Sequence, residues 1–203
     1  VTVVNGYCTT DQIRAELSDD GQRLPVNLLE KAVNAASRAV DRWTGRRFWQ
    51  DASPVVRRYR PTSPEVAYIH DVSTTDGLLV ETGSGIDWTN ATAWTLDADY
   101  ELGPENADAD GGAYAWWRLT PVSGRYFLTG YRQTTLRVTA RWGWSEVPDQ
   151  VVEATILRAV AIFKRKDAVY GVADFGEFGP VRITRADPDV MDLLRPFQKP
   201  MAG

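Results

Sequence analysis

Two stretches of the chain repeat their apolar residues at the helical period, and the texture between them changes to short alternating runs. From about Pro25, the residues Leu28, Leu29, Ala32, Val33, Ala35, Ala36, Ala39, Val40 and Trp43 fall on one stripe, with Glu30, Lys31, Asn34, Arg38, Asp41 and Arg42 on the other side. That spacing predicts an amphipathic helix. Its alanines let a second helix approach closely, and Gly45 stands where a left-handed cap would end it. The second stretch opens at Pro148, which suits a helix start because no backbone N–H is needed there. Val151, Val152, Ala154, Ile156, Leu157, Ala159, Val160, Ala161, Ile162 and Phe163 follow, broken only by Glu153, Thr155 and Arg158. A face that wide calls for cover from the first helix, and a neighbouring subunit is a second candidate cover. Lys164, Arg165 and Lys166 place positive charge at the negative end of the helix dipole. Near the start, Thr9 and Gln12 have capping-box spacing ahead of a short helix with Ile13 and Leu17 on one face, ended by residues 18–21.

Residues 49–144 read as strands. Weak alternation covers 54–59. Runs at 66–72 and 78–82 are separated by 73–77, a Gly-containing loop that predicts a hairpin. Further runs lie at 94–96, 100–102 and 115–119. The clearest is 135–142, where Leu136, Val138, Ala140 and Trp142 alternate with Thr135, Arg137, Thr139 and Arg141 before Gly143 stops the strand. The predicted fold class is α+β: a small helical bundle, made of the N-terminal helices and a long helix near 148–166, with a β-rich insertion and an extended C-terminal tail. The corresponding division is a discontinuous helical core at 1–48 and 145–166, an insertion at 49–144, and a docking tail at 167–203. Glycine and proline interrupt that tail, with a short helical turn through Leu194, yet Phe175, Phe178, Val181, Ile183, Met191, Leu194 and Phe197 are apolar enough to want burial, either on a partner or around the chain's own core.

Length allows one full core with a sizeable insertion. Cys8 is alone among 203 residues, which rules out an intrachain disulfide and a cysteine-built zinc site. No basic, apolar, small-residue leader is recognisable, and the longest apolar run carries Glu153 and Arg158, so the expectation is a soluble chain without a membrane span. The net charge is −4, and between Pro61 and Trp117 there is no Lys or Arg while acidic residues recur throughout. That stretch reads as a solvated, loop-rich surface, and the sharper reading is a surface that repels nucleic acid.

Catalytic patterns are weak. His70 is the single histidine, it falls in a predicted strand, and no Gly-x-Ser-x-Gly elbow or phosphate-binding glycine loop accompanies it. Asn106, Asp108, Asp110 and Gly111 match the first half of a calcium loop, but Trp117 stands where the bidentate Glu belongs. Asn90 opens a glycosylation sequon that matters only in a secreted chain. The expectation is therefore no catalytic residue, no metal and no cofactor. The eight tryptophans fit core and interface roles better than a sugar platform, for which Trp116 and Trp117 would be the candidates. Arg46 and Arg47, just past the alanine-rich helix that Gly45 ends, suit dipole compensation or ion pairing to a neighbour. With Trp142, Trp144 and Arg158 they make up the candidate inter-subunit set.

Three stretches then occur together in order: residues 10–17 with the alanine-rich helix running into Trp43-Thr44-Gly45-Arg46-Arg47-Phe48; Asp97-Ala98-Asp99-Tyr100-Glu101-Leu102 with a later Arg118-Leu119-Thr120-Pro121; and 138–161 through Gly143 and Val147-Pro148. In these the chain resembles the head-to-tail connector, or adaptor, proteins of long-tailed bacteriophages. The stretch Phe175-Gly176-Glu177-Phe178-Gly179-Pro180-Val181-Arg182 and Asp187-Pro188-Asp189-Val190 are similar to adaptors from phages of actinobacteria. The long insertion departs from the pattern.

The resemblance implies a non-catalytic virion protein of the neck, assembled in the bacterial host cytoplasm, that forms a ring of about a dozen copies beneath the portal. Such a ring extends the DNA channel, lets DNA pass without sequence-specific binding, and joins the capsid to the next neck or tail protein. No membrane is involved. The implied portal-docking element is the C-terminal tail, with Phe175, Phe178, Val181, Ile183 and Phe197 as its anchors. Removing everything after Lys166 is then expected to abolish portal binding and leave the fold intact. A stopper or tail-completion protein is the neighbouring alternative, and a Trp-rich carbohydrate-binding module is the alternative from another class.

Overall fold

The computed structural model describes residues 2–17, 24–83, 88–105, 107, 114–167 and 187–199. The chain is an α+β protein that divides into two compact units. One comprises Val1–Arg46 with Val147–Pro200, the other Arg47–Glu146.

The first unit is helical. Helix α1 (Thr10–Glu16) opens on a complete capping box, the Thr9 hydroxyl accepting from the Gln12 N–H and the Gln12 side chain accepting from the Thr9 N–H. Helix α2 (Val26–Thr44) is ended by Gly45 at φ 67°, which donates back to Asp41 O. Helix α3 (Asp149–Asp167) starts immediately after Pro148, whose carbonyl accepts from the Val151 and Val152 N–H groups. Helix α4 (Pro188–Leu194) is capped by the Asp187 carboxylate on Asp189 N–H and runs into a 3₁₀ turn, Arg195–Phe197. Helix α2 packs on α3, and α4 packs on α3. Their shared core holds Cys8, Ile13, Leu29, Ala32, Val33 and Ala36 with Ile156, Ala159 and Phe163.

The apolar stripe of α2 is narrower than its sequence suggests. Ala35 and Trp43 face outward, Trp43 with 41 % of its surface exposed, while Ser37 and Thr44 are buried. Both hydroxyls donate one turn back, to Val33 O and Val40 O, so they enter the core without an unmet hydrogen bond. Thr155 does the same on α3, donating to Val151 O.

The second unit is a sandwich of two antiparallel sheets. Its strands are β1 (Val55–Tyr59), β2 (Ala67–Val72), β3 (Leu79–Thr82), β4 (Thr92–Trp94), β5 (Tyr100–Gly103), β6 (Trp116–Pro121) and β7 (Leu136–Ala140). One sheet has the order β1-β7-β3-β4, the other β2-β6-β5. Their inner faces share one core, with Ala67, Ile69, Leu102 and Leu119 from one layer and Val80, Trp94, Leu136, Val138 and Ala140 from the other.

The expected hairpin across 73–77 does not form. Strand β2 pairs with β6, and β3 pairs with β7 and β4, so the connection crosses from one sheet to the other. The reason lies in burial: the inward residues of β2 and β3 face each other across the core, where side-by-side pairing would set them in one layer. Ser73 pins the crossover, its N–H and hydroxyl both donating to Arg141 O. The regular part of the 135–142 run also ends early, at Ala140, and Trp142 continues it only through an isolated bridge to Val72. Thr135, expected on the wet face, is buried because its hydroxyl donates to Leu128 O and its N–H to Tyr59 O.

The sandwich has two side edges, and each is closed by a different device. On one side β1 covers β2, with Tyr59 Oη accepting from the His70 N–H and lying 2.8 Å from His70 Nδ1. On the other side β4 turns directly into β5, held by the Leu96–Tyr100 bridge and by Asp99, whose carboxylate accepts from Thr95 N–H.

Candidate partner and subunit surfaces

The residues expected at subunit contacts divide by burial. Trp142 is fully buried, its indole N–H donating to Val55 O at 2.7 Å and its ring packed against Tyr59 and His70. Trp144 is 2 % exposed, donates to Asp71 Oδ2 at 3.1 Å and lies between Phe48 and Tyr114. Both indoles are engaged inside their own unit, and neither offers a ring face to a second copy.

The two arginines after α2 are also engaged internally. Arg46 is 9 % exposed, with Nε donating to Phe197 O at 2.9 Å. Arg47 stacks over the Trp49 ring at 3.7 Å, pairs with Asp51 at 2.9 Å and donates to Trp142 O. A guanidinium spread over a ring, a carboxylate and a carbonyl is a rigid internal brace.

Arg158 is different. It is half-buried on α3 and lines a groove of about 100 Å³ with Ala39, Val40, Trp43, Asp187, Val190, Met191 and Leu194. Among the described residues its guanidinium has no ion pair. The groove is apolar apart from Arg158 and Asp187, and the exposed Trp43 forms one of its walls.

Of the tail anchors, Phe197 lies in the helical unit, 6 % exposed, beside Val190 and Leu194, which are also buried. Its backbone carbonyl is held by Arg46, and Lys199 N–H donates to Thr44 O. Residues 197–199 therefore fold back on the end of α2, and truncation after Lys166 would remove part of the core of this unit. The expectation that such a truncation leaves the fold intact is corrected on that ground. Phe175, Phe178, Val181 and Ile183 lie outside the described residues, as do Asn106, Asp108, Asp110 and Gly111 of the partial calcium loop.

The β unit carries several paired charges. Arg137 on β7 grips Glu81 on β3 with two hydrogen bonds of 2.7 and 2.6 Å, and those bonds push its pKa up. Trp88 caps this pair from above, its ring 5.0 Å from the Arg137 guanidinium and 5.9 Å from that of Arg58. Asp99 is held below the usual carboxylate range by the Thr95 N–H and then by Arg125, 2.8 Å away. Glu105 is lowered by its own backbone N–H and by the charge of Arg118, with which it pairs. Sequence reasoning missed these cross-strand pairs, because register decides which side chains become neighbours.

The tryptophans considered for sugar binding are partly covered. Trp116 packs against the sandwich core, and Trp117 stacks on Tyr68 with 5.9 Å between ring centres and planes 19° apart. His70 stands beside Tyr59 and edge-on to Trp142. Among the described residues no group of His, Cys, Asp or Glu is arranged to hold a metal ion, and no helix is long and apolar enough to cross a membrane.

No family model matches the chain, and no curated protein matches it. Solved structures do. A chain from the neck of an empty gene transfer agent particle, computed with C6 symmetry, superposes with a TM-score of 0.58 at 14 % identity. A chain from the virion of the native gene transfer agent particle gives 0.53 at 16 %, and one from the native neck computed with C12 symmetry gives 0.50 at 16 %. Each comparison covers 100 % of this chain and 94 % of the other. The fold is shared end to end. At these identities the likeness is one of architecture, and it includes the β-rich insertion that the sequence resemblance left as a departure.

Proposed function

We propose that this chain is a structural, non-catalytic protein of a virion neck, a head-to-tail adaptor that forms a ring under the portal and joins the capsid to the tail. The observation that carries the reading is the fold shared over the whole chain with chains from the neck of gene transfer agent particles. The order of sequence motifs supports it independently. The C6 and C12 symmetries of the neck structures support a ring of copies.

In this reading each unit has its own task. The helical unit is a tightly braced platform, with residues 4–7 and 197–199 held on α2 and the turn after it. The β unit carries an acidic stretch past which DNA moves without sticking. The segment carrying Phe175, Phe178, Val181 and Ile183 docks on the portal through burial of its apolar side chains.

Sedimentation velocity of the full chain mixed with the portal ring of the same particle tests this. A large stoichiometric complex is expected, weakened in the double variant F175A/F178A, which leaves Phe197 and α4 in place. Binding to another neck or tail component in place of the portal would assign the chain to the stopper or tail-completion layer. Binding to none of them would overturn the neck reading.

A further inference from the structure

The two side edges of the β unit carry opposite charge. Between Val55 and His70 there are three arginines, Arg57, Arg58 and Arg60, against one carboxylate, Glu65. Strand β1 is an edge strand, paired on one side only, with β7. Arg57 lies over the Trp142 ring at 4.6 Å, and Arg58 is exposed near Trp88. Arg60 donates to the backbone carbonyl of Arg132. Rings and carbonyls orient these groups but do not neutralise them. Among the described residues none of the three has a carboxylate partner.

The opposite edge, where β4 turns into β5, carries Asp97, Asp99, Glu101 and Glu105 within residues 95–105 and no Lys or Arg. Asp99 and Glu105 are spent on Arg125 and Arg118. Asp97 and Glu101 are exposed and have no cation among the described residues. Three inter-strand steps separate β1 from β4, about 14 Å of sheet. The free charges of one copy therefore cannot reach each other within that copy.

We propose that a second copy of this chain is the partner of both edges, the arginine edge of one meeting the carboxylate edge of the next. This deepens the neck reading and rests on it for the presence of many copies in a ring. The pairing is heterologous, and a heterologous contact closes into a ring when its rotation allows. Like edges repel each other, which disfavours a meeting of two arginine edges or two carboxylate edges. The outer face of the four-stranded sheet is a weaker candidate, because its central charges, Arg137 and Glu81, already neutralise each other.

Two full-length variants test the proposal. R58E/R60E makes both edges acidic. D97N/E101R makes the other edge basic, with Asn chosen at position 97 because Asp97 sits at φ 64° and Asn tolerates that conformation. Sedimentation velocity at low and high salt reads self-association, and circular dichroism confirms that each variant is folded. The wild type is expected to self-associate at low salt, each variant alone to do so more than about tenfold more weakly, and an equimolar mixture of the two to recover association.

A mixture that stays monomeric, or variants that associate as the wild type does, would overturn the proposal. So would a wild type that remains monomeric at low salt, or one whose arginine edge binds a short DNA duplex in place of a second copy. The portal experiment is separate. A chain that binds the portal but shows no edge pairing keeps the neck reading and loses this inference, and the reverse result keeps the inference and loses the reading.

Discussion

Arg46 Nε donates a 2.9 Å hydrogen bond to the backbone carbonyl of Phe197, tying the end of α2 to the last described turn of the chain across 151 positions of sequence. The guanidinium is almost wholly buried, and the carbonyl it satisfies belongs to the 3₁₀ turn whose Phe197 side chain enters the core. Replacing Arg46 by Ala should cost about 1–3 kcal/mol, the usual range for a buried group left without its charged partner. Hydrogen exchange at residues 195–199 is the direct readout. It should rise sharply in the variant while the strands of the β unit keep their protection, and unchanged protection would show that Lys199 N–H on Thr44 O suffices alone.

Gly143 lies against the Trp49 backbone at a φ of 107°. A Cβ added there would fall 1.9 Å from Trp49 O and 2.7 Å from Trp49 C. Neither atom belongs to a flexible side chain, so the backbone itself would have to shift. Gly143→Ala is expected to destabilise the chain by about 3 kcal/mol or more, read as a fall in the urea midpoint. Gly124, also at positive φ but with open space around it, is the control: its alanine variant carries the conformational cost without the clash. Equal losses at the two positions would refute the close approach.

Three buried acids set the alkaline limit. Burial raises Cys8 from 9.0 to about 11, and raises Tyr59 and Tyr100 from 10.0 to about 12. The folded state favours the neutral form of each, so their contribution is fully present below the unfolded values and is lost as pH rises through the folded ones. Stability should therefore fall between about pH 9 and pH 12, with Tyr100, 2 % exposed, contributing about 2–3 kcal/mol of that loss. Urea unfolding followed across that range should show a shallower decline in Y100F. An identical slope would mean that Tyr100 does not titrate against its surroundings.

The legible part of the fold was the part governed by local periodicity. The Thr9 capping box, the Gly45 stop, the pairing of the two long helices and the alternation through Leu136, Val138 and Ala140 all depend on residues within a turn or two of each other. The portal-anchor expectation divided along the same line: the apolar character of Phe197 was visible, but its partner Arg46 was not. Ser37 and Thr44 misled the stripe on α2, because a hydroxyl that bonds back one turn is buried at no net loss of hydrogen bonds.

Sequence by itself determined the fold class, the helices with their stops, the separation of a β-rich stretch from a helical core, and a chain order resembling phage adaptors. Tertiary structure decided the rest. It placed β2 and β3 in different sheets, drew Trp142 and Trp144 inward, and set free arginines on one edge and free carboxylates on the other. The physical reason is range. Helix periodicity and capping are written in neighbouring residues, whereas sheet order, burial of a given tryptophan and the pairing of a given charge depend on which distant segments share one core.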